Sequence, residues 1–184
     1  SNKGMRPMTE QQIRFDDGAS YERMMGVWSK LAGNVFLDWT KPATGSRWVD
    51  VGCGNGAFTE LIFSRFAPST VDGIDSSEAQ LEFARARPGT RAAKFQLGDA
   101  MALPFAEDSF DVAVMALVIF FVPDLAKGVA EMVRVVRPGG QVAAYVWDVM
   151  GGYGWQSDCC ADPIRDGGNG LRTPTAAEHG SLAD

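Results

Sequence analysis

Three acids stand at the ends of three short apolar runs in this 184-residue chain: Asp50 after Trp48-Val49, Asp75 after Gly73-Ile74, and Asp99 after Leu97-Gly98. The first is followed by Gly52-Cys53-Gly54-Asn55-Gly56. Glycines between a strand and a helix let backbone N–H groups approach a ligand closely at a helix N-terminus. Gly52-x-Gly54-x-x-Ala57 also satisfies the dinucleotide fingerprint, so NAD has to be weighed. Asp50 argues against it: a carboxylate two residues before the first glycine repels a pyrophosphate and suits a ligand that carries an ammonium group. Asp75 can accept both hydroxyls of a ribose, which fits either cofactor. Asp99 can accept from the exocyclic amine of an adenine while the neighbouring backbone reads the ring edge. Each acid alone has a capping or turn-closing explanation. Three of them at successive strand ends around a glycine loop go beyond capping. A ligand with a ribose, an adenine, an amine and no phosphate is the natural fit, and that is S-adenosylmethionine.

The elements that must position these acids follow from periodicity. Apolar positions at helical spacing run over residues 19–39 (Tyr21, Met24, Met25, Trp28, Leu31, Val35, Phe36, Trp39), with Asp17 or Ser20 as a cap and Gly33-Asn34 as a point where the helix splits. Strands are expected at Trp48–Val51, Thr70–Asp75, Lys94–Leu97, Phe110–Leu117 and Gln141–Trp147. Helices are expected at Ala57–Phe66, Glu78–Ala86 and Asp124–Val136, the last with Leu125, Val129, Met132, Val133 and Val136 as its apolar stripe. Repeated strand, crossover, strand units give a parallel sheet with right-handed connections, so the fold class is α/β, a Rossmann-like doubly wound sheet with five visible strands. The chain divides into a helical cap over 1–46, a nucleotide-fold domain over 47–150, and an irregular tail over 151–184. That tail holds seven of the 21 glycines, and its five acids against two arginines carry half of the net charge of −6. With no fifth-strand partner in sight, the apolar alternation at Val142, Ala144 and Val146 reads as a bare edge that invites pairing into a homodimer.

Composition excludes several classes. An acidic chain, with pI near 4.8, repels phosphate backbones, so nucleic acid is not an expected partner. Cys53, Cys159 and Cys160 have no metal-ligand spacing, and the single His179 leaves nothing for a Ser-His-Asp hydrolase; no metal is expected. The longest apolar run, Val112 to Val122, has eleven residues, and no basic start with an apolar stretch opens the chain, so the expectation is a cytoplasmic protein without a membrane span. Cys53 sits where a thiol pKa can fall, although a small side chain tolerated beside a cofactor explains it as well.

Asp50-Val51-Gly52-Cys53-Gly54-Asn55-Gly56, Gly73-Ile74-Asp75-Ser76, Gly98-Asp99-Ala100, Leu103-Pro104-Phe105, Ser109-Phe110-Asp111 and Arg137-Pro138-Gly139-Gly140 occur in that order. In this the chain resembles the class I S-adenosylmethionine-dependent methyltransferases of the ubiquinone/menaquinone-biosynthesis (type 11) group, from about Arg47 to Trp147. The resemblance implies that Asp50 and the Gly52, Cys53 and Gly54 loop hold the methionine end of the cofactor. It implies that Asp75 takes the ribose with Ser76 flanking the adenine, and that Asp99, Ala100 and Met101 meet the adenine. Ala116 and Leu117 would pass beneath the sulfonium, and Tyr21 and Trp28 would cover the cofactor or simply be core aromatics.

Many relatives carry a polar residue and paired histidines after the fourth strand. Phe120 and Phe121 stand there in this chain, so that segment supplies no base and the catalytic residue is unassigned. The expected acceptor is a small apolar or aromatic molecule walled by those two rings, the other explanation being that they pack the sheet against a helix. The family's sheet has seven strands, so the chain reads as C-terminally truncated. A cofactor-binding but catalytically weak protein is therefore the alternative to an active methyltransferase, and an NAD-dependent oxidoreductase the remote one.

Overall fold

The computed structural model describes residues 18–148, 154–156 and 160–161, with side chains described for 29–147. Helix α1 (Gly18–Thr40) leads into β1 (Arg47–Val51), α2 (Ala57–Arg65), β2 (Thr70–Asp75) and α3 (Glu78–Ala86). Then come β3 (Lys94–Leu97), β4 (Phe110–Ala116), a short 3₁₀ turn (Ile119–Phe121), α4 (Leu125–Val135) and β5 (Val136–Asp148). Strands β1 to β5 lie parallel in the order β3-β2-β1-β4-β5. The order reverses between β1 and β4, and an open α/β sheet binds its ligands in the crevice at that switch, outside the carboxyl ends of the strands.

Strand alternation sorts the apolar residues onto two faces. Trp48, Val71, Val112, Val114, Ala143 and Tyr145 face α1 and α2, where Ala32, Phe36, Leu37, Phe58, Leu61 and Ile62 complete one core. Val49, Val51, Ala113, Met115, Val142 and Ala144 form the other core with Met132 and Val135 of α4. Asp50 follows Trp48 by two and so belongs to the α1/α2 face, in the only charged position on the fully buried stretch of β1.

The structure departs from expectation in four places. First, α1 does not split at Gly33-Asn34. A Cβ on Gly33 would come within 2.7 Å of Leu61 Cδ1, so this glycine serves the close approach of α1 to α2. Second, the outward row Leu31, Val35 and Trp39 is exposed, as are Leu125 and Val133 of the expected α4 stripe, while Gly128, Met132 and Val135 face inward. Third, pairing with β4 starts at Val136, shifts register over the Arg137–Gly140 segment and resumes at Gln141. Fourth, the outer edge of β5 is not bare. Strand β6 (Gly154–Gln156) pairs antiparallel with Val146–Asp148, and β7 (Cys160–Ala161) pairs with Val142–Ala143. Chain that turns straight back satisfies the edge N–H and C=O groups locally, which removes the premise for dimerisation through that edge. Beyond those two short strands, the expected irregular tail lies outside the described residues, as do Cys159 and His179.

Candidate cofactor site at the carboxyl edge

Asp50 is completely buried. Its Oδ2 accepts a 2.6 Å hydrogen bond from the Thr59 hydroxyl of α2, and its Oδ1 has no hydrogen-bond partner among the described residues. Burial pushes the carboxyl up to about 7, against the Thr59 hydrogen bond and with a smaller contribution from the nearby charge of Asp75. A buried carboxylate with a free acceptor is unfavourable until a donor, and best a cation, reaches it.

Asp75 ends β2 and ties the crevice together. Its Oδ2 accepts from the Gly54 N–H at 2.8 Å and its Oδ1 from the Ser77 N–H at 2.9 Å. Burial raises its pKa, opposed by the N–H groups of Ser77, Gly54 and Ser76. Two carboxylate oxygens offer about four acceptor directions, so these bonds leave Asp75 able to accept from further hydroxyls. Neither Asp50 nor Asp75 has an ion-pair partner among the described residues.

The loop between them is shaped by close contacts. Gly52 and Cys53 both donate to the Ile74 carbonyl, at 2.7 and 3.0 Å, which pins the loop to β2. Gly52 has φ +74°, and a Cβ there would collide with Val118 at 2.4 Å. Gly54, at φ +51°, is different: a Cβ would meet nothing within 4 Å. Its backbone therefore borders open space, which any side chain would begin to fill. Cys53 is buried, and its thiol is pushed well above its ordinary range by desolvation and by the charges of Asp50 and Asp75. It remains protonated, so it is no nucleophile.

Asp99 makes no hydrogen bond to that pair among the described residues. It is exposed, and its Oδ1 accepts from the Met101 N–H at 2.8 Å, closing its own turn. The turn connects to the crevice through the Gly98 N–H, which donates to the Asp75 carbonyl at 3.0 Å. Ser76 is exposed, and Ala100 and Met101 are partly buried. Tyr21 and Trp28 lie on α1, but their side chains fall outside what is described.

At the exit of β4, Ala116 is partly buried and Leu117 adopts φ +63°, with its N–H on the Tyr145 carbonyl at 2.9 Å. Strict alternation would send Leu117 to the core of Met115. The left-handed residue instead turns it to the core of Val112 and Val114, and Val118 takes the opposite one. Phe120 and Phe121 follow on the 3₁₀ turn, 63% and 55% exposed, so neither ring fills the space between sheet and helix.

Sequence reasoning missed Thr59, whose only signal is a hydroxyl between Phe58 and Glu60 in the first turn of α2. It also missed Arg87, which donates to the Asn55 carbonyl at 3.1 Å and pairs with Glu60 at 3.0 Å, bracing the far end of the glycine loop.

The residues present fit S-adenosylmethionine on two counts, the unpartnered buried oxygen of Asp50 and the open border at Gly54. A pyrophosphate fits poorly between two carboxylates without a paired cation.

Comparison with known proteins agrees. The methyltransferase domain model matches residues 49–144. The demethylmenaquinone methyltransferase of Desulfitobacterium hafniense is 39% identical over 105 residues, 54% of this chain and 42% of the relative. The malonyl-[acyl-carrier protein] O-methyltransferase of Methylococcus capsulatus is 34% identical over 71% of this chain and 46% of its own length. Among solved structures, a SAM-dependent methyltransferase of Thermotoga maritima superposes with a TM-score of 0.59 at 28% identity, covering 72% of this chain and 59% of that one. The chain thus spans about half the length of the curated relatives it matches. With the family model matched over more than half its residues, the chain belongs to the methyltransferase domain family.

Proposed function

We propose that this chain binds S-adenosylmethionine at the carboxyl edge of β1, β2 and β3 and transfers its methyl group to a small apolar or aromatic acceptor. The observation that carries the reading is Asp50: a buried acid with a spare oxygen and no cation among the described residues, beside a glycine that borders open space. In this reading Asp50 and the backbone of Gly52, Cys53 and Gly54 hold the methionine end. Asp75 accepts from the ribose with Ser76 beside it, and Asp99, Ala100 and Met101 meet the adenine. Tyr21 and Trp28 cover the site from α1.

The bound cofactor supplies a methyl group on a sulfonium, a leaving group that needs no proton. The work left to the protein is alignment and exclusion of water. The fixed exit of β4 at Ala116 and Leu117 provides a rigid floor for that alignment. Phe120 and Phe121 offer an apolar wall on the acceptor side, and no general base is drawn from this segment. The two curated relatives described above are named for different acceptors, so the apolar wall, rather than kinship, supports the acceptor class.

Calorimetry with S-adenosylhomocysteine and NAD tests the cofactor, with binding of the first and none of the second expected. A labelled-methyl assay over phenolic, quinol and carboxylate acceptors tests the reaction. Phe120→Asp is expected to raise the acceptor KM about tenfold with the cofactor Kd unmoved; an unchanged KM removes the wall. A second reading, binding without efficient turnover, is favoured by the brevity of β6 and β7, three and two residues long. Binding without label transfer across the panel would select it.

A further inference from the structure

The turn that the proposed function assigns to the adenine is held by very little of its own. Within residues 99–102 the bonds are Asp99 Oδ1 to the Met101 N–H at 2.8 Å and the Ala102 N–H to the Asp99 carbonyl at 3.0 Å. Asp99 is exposed, and no salt bridge reaches the turn among the described residues. Apart from Ala100, which packs on the core of Met115 and Met132, its position is set by its two ends. At one end Gly98 is bonded to the β2 terminus. At the other end stands Leu103-Pro104-Phe105, and here α4 reaches across with two charged side chains.

Glu131 accepts from the Leu103 N–H through Oε2 at 2.7 Å. Arg134 donates from Nη1 to the Phe105 carbonyl at 2.7 Å and from Nη2 to the Leu103 carbonyl at 3.0 Å. The two side chains are bonded to each other through Arg134 Nε and Glu131 Oε1 at 2.7 Å and through Nη2 and Oε2 at 2.8 Å. The guanidinium thus bridges two carbonyls while the carboxylate takes the Leu103 N–H, a planar fork that a lysine cannot copy. Partner formation is mutual in its charge effects: the Arg134 hydrogen bonds lower the Glu131 carboxyl, and Glu131 raises Arg134. Helix α4 is itself fixed to the sheet by the buried Met132 and Val135. Leu103 is buried, and Phe105 stacks edge-on against Phe110 at 4.8 Å, so the clamped segment does not need the ion pair merely to stay in the core.

We infer that Glu131 and Arg134 are positioning residues for nucleobase recognition: through the backbone of Leu103 and Phe105 they fix the 99–101 turn so that the protein selects an adenine over a 6-oxopurine. This rests on the binding mode proposed above. A site whose polar groups are held in place rejects an analogue that cannot pair with them, whereas a loosened turn adapts to either base.

The test compares the dissociation constants of S-adenosylhomocysteine and S-inosylhomocysteine in the full chain and in Glu131→Gln, Arg134→Lys and Arg134→Gln. The unaltered chain is expected to prefer the adenine ligand by about tenfold or more. In Arg134→Lys and Arg134→Gln alike that preference is expected to shrink by about three- to tenfold, the size of one or two lost hydrogen bonds. Glu131→Gln, which keeps an oxygen for the Leu103 N–H but not the charge, is expected to lie between. A preference unchanged in all three variants, whatever happens to their melting temperatures, makes the pair structural only and overturns the inference. Full retention of preference by Arg134→Lys also overturns it, because charge alone would then suffice. Should the Arg134 variants not fold, the Glu131→Gln preference decides by itself. Failure of the unaltered chain to bind S-adenosylhomocysteine is a separate result, and it overturns the binding mode instead.

Discussion

The two edges of the parallel sheet treat the same residue in opposite ways. At the amino edge Asp111, in the second position of β4, is gripped by arginines at the starts of the two neighbouring strands. Arg47 bonds it through its backbone N–H at 2.7 Å and its guanidinium at 3.3 Å, and Arg137 through its guanidinium at 2.5 Å. Partial burial works against ionisation, but these bonds outweigh it and hold the Asp111 carboxyl well below the ordinary range. At the carboxyl edge Asp50 and Asp75 have no cation among the described residues, and burial drives both upward. One edge spends its charges on holding strands together. The other leaves them uncompensated, which lowers the stability of the folded protein and, in the binding mode proposed above, suits a positively charged ligand.

The largest effect is expected from Asp50→Asn. Loss of a buried carboxylate facing an ammonium should weaken S-adenosylhomocysteine by about a hundredfold or more. The same substitution acts oppositely on stability. Because the folded pKa of Asp50, about 7, lies above its unfolded value of 3.8, the folded state holds the extra proton. Stability of the unliganded protein then falls as pH rises between those two values and stays low above 7. Asp50→Asn lacks this titration, so its melting temperature relative to the unaltered chain should climb from pH 5 to pH 8. A gap that is flat with pH would break the comparison.

Gly54→Ala comes next. Its Cβ enters open space, so stability should fall only by about 1–2 kcal/mol from the left-handed backbone, while cofactor affinity falls about tenfold as the border is filled. Equal affinity in melts and calorimetry would place the ligand elsewhere. At the opposite edge Asp111→Asn should cost about 1–2 kcal/mol at pH 7, measured by urea denaturation, with the cofactor Kd unchanged. Its sign with pH is the reverse of Asp50. The folded pKa is depressed, so the stabilisation is present above the unfolded value near 4 and is lost as pH falls further. The smallest effect is expected from Thr59→Val. Without the hydroxyl, the Asp50 pKa rises further, so binding at pH 7 weakens about threefold and recovers at pH 8.5.

Much of this division was legible before any coordinates. Period-two patterning puts Asp50 on the face of Trp48, and α3 and β2 end where capping and turn residues say they should, with Ser77 accepting from Gln80 N–H. The three strand-end acids follow from the same rule. What escaped depends on contacts between distant residues. Gly33 looks like a helix breaker until Leu61 is seen against it, and an exposed edge is inferred on β5 because strands of two and three residues carry no periodicity. Asp99 appears equivalent to Asp50 and Asp75 in the sequence, yet it closes its own turn in solvent. Glu131 and Arg134 read as an ordinary i,i+3 surface pair, since nothing local shows that backbone 28 to 31 positions away lies against their side chains.

The left-handed Leu117 has a consequence for how this architecture changes over time. By swapping the face that each following side chain meets, it uncouples the segment after β4 from the two-residue rhythm that the sheet imposes on every strand. The exposed Phe120 and Phe121 can then be exchanged without re-patterning either core, while Val118, Ile119 and Val122 stay packed on the core of Met115. In the binding mode proposed above, a single residue with φ +63° thereby separates the cofactor cleft from two exposed rings that can be exchanged to suit another acceptor.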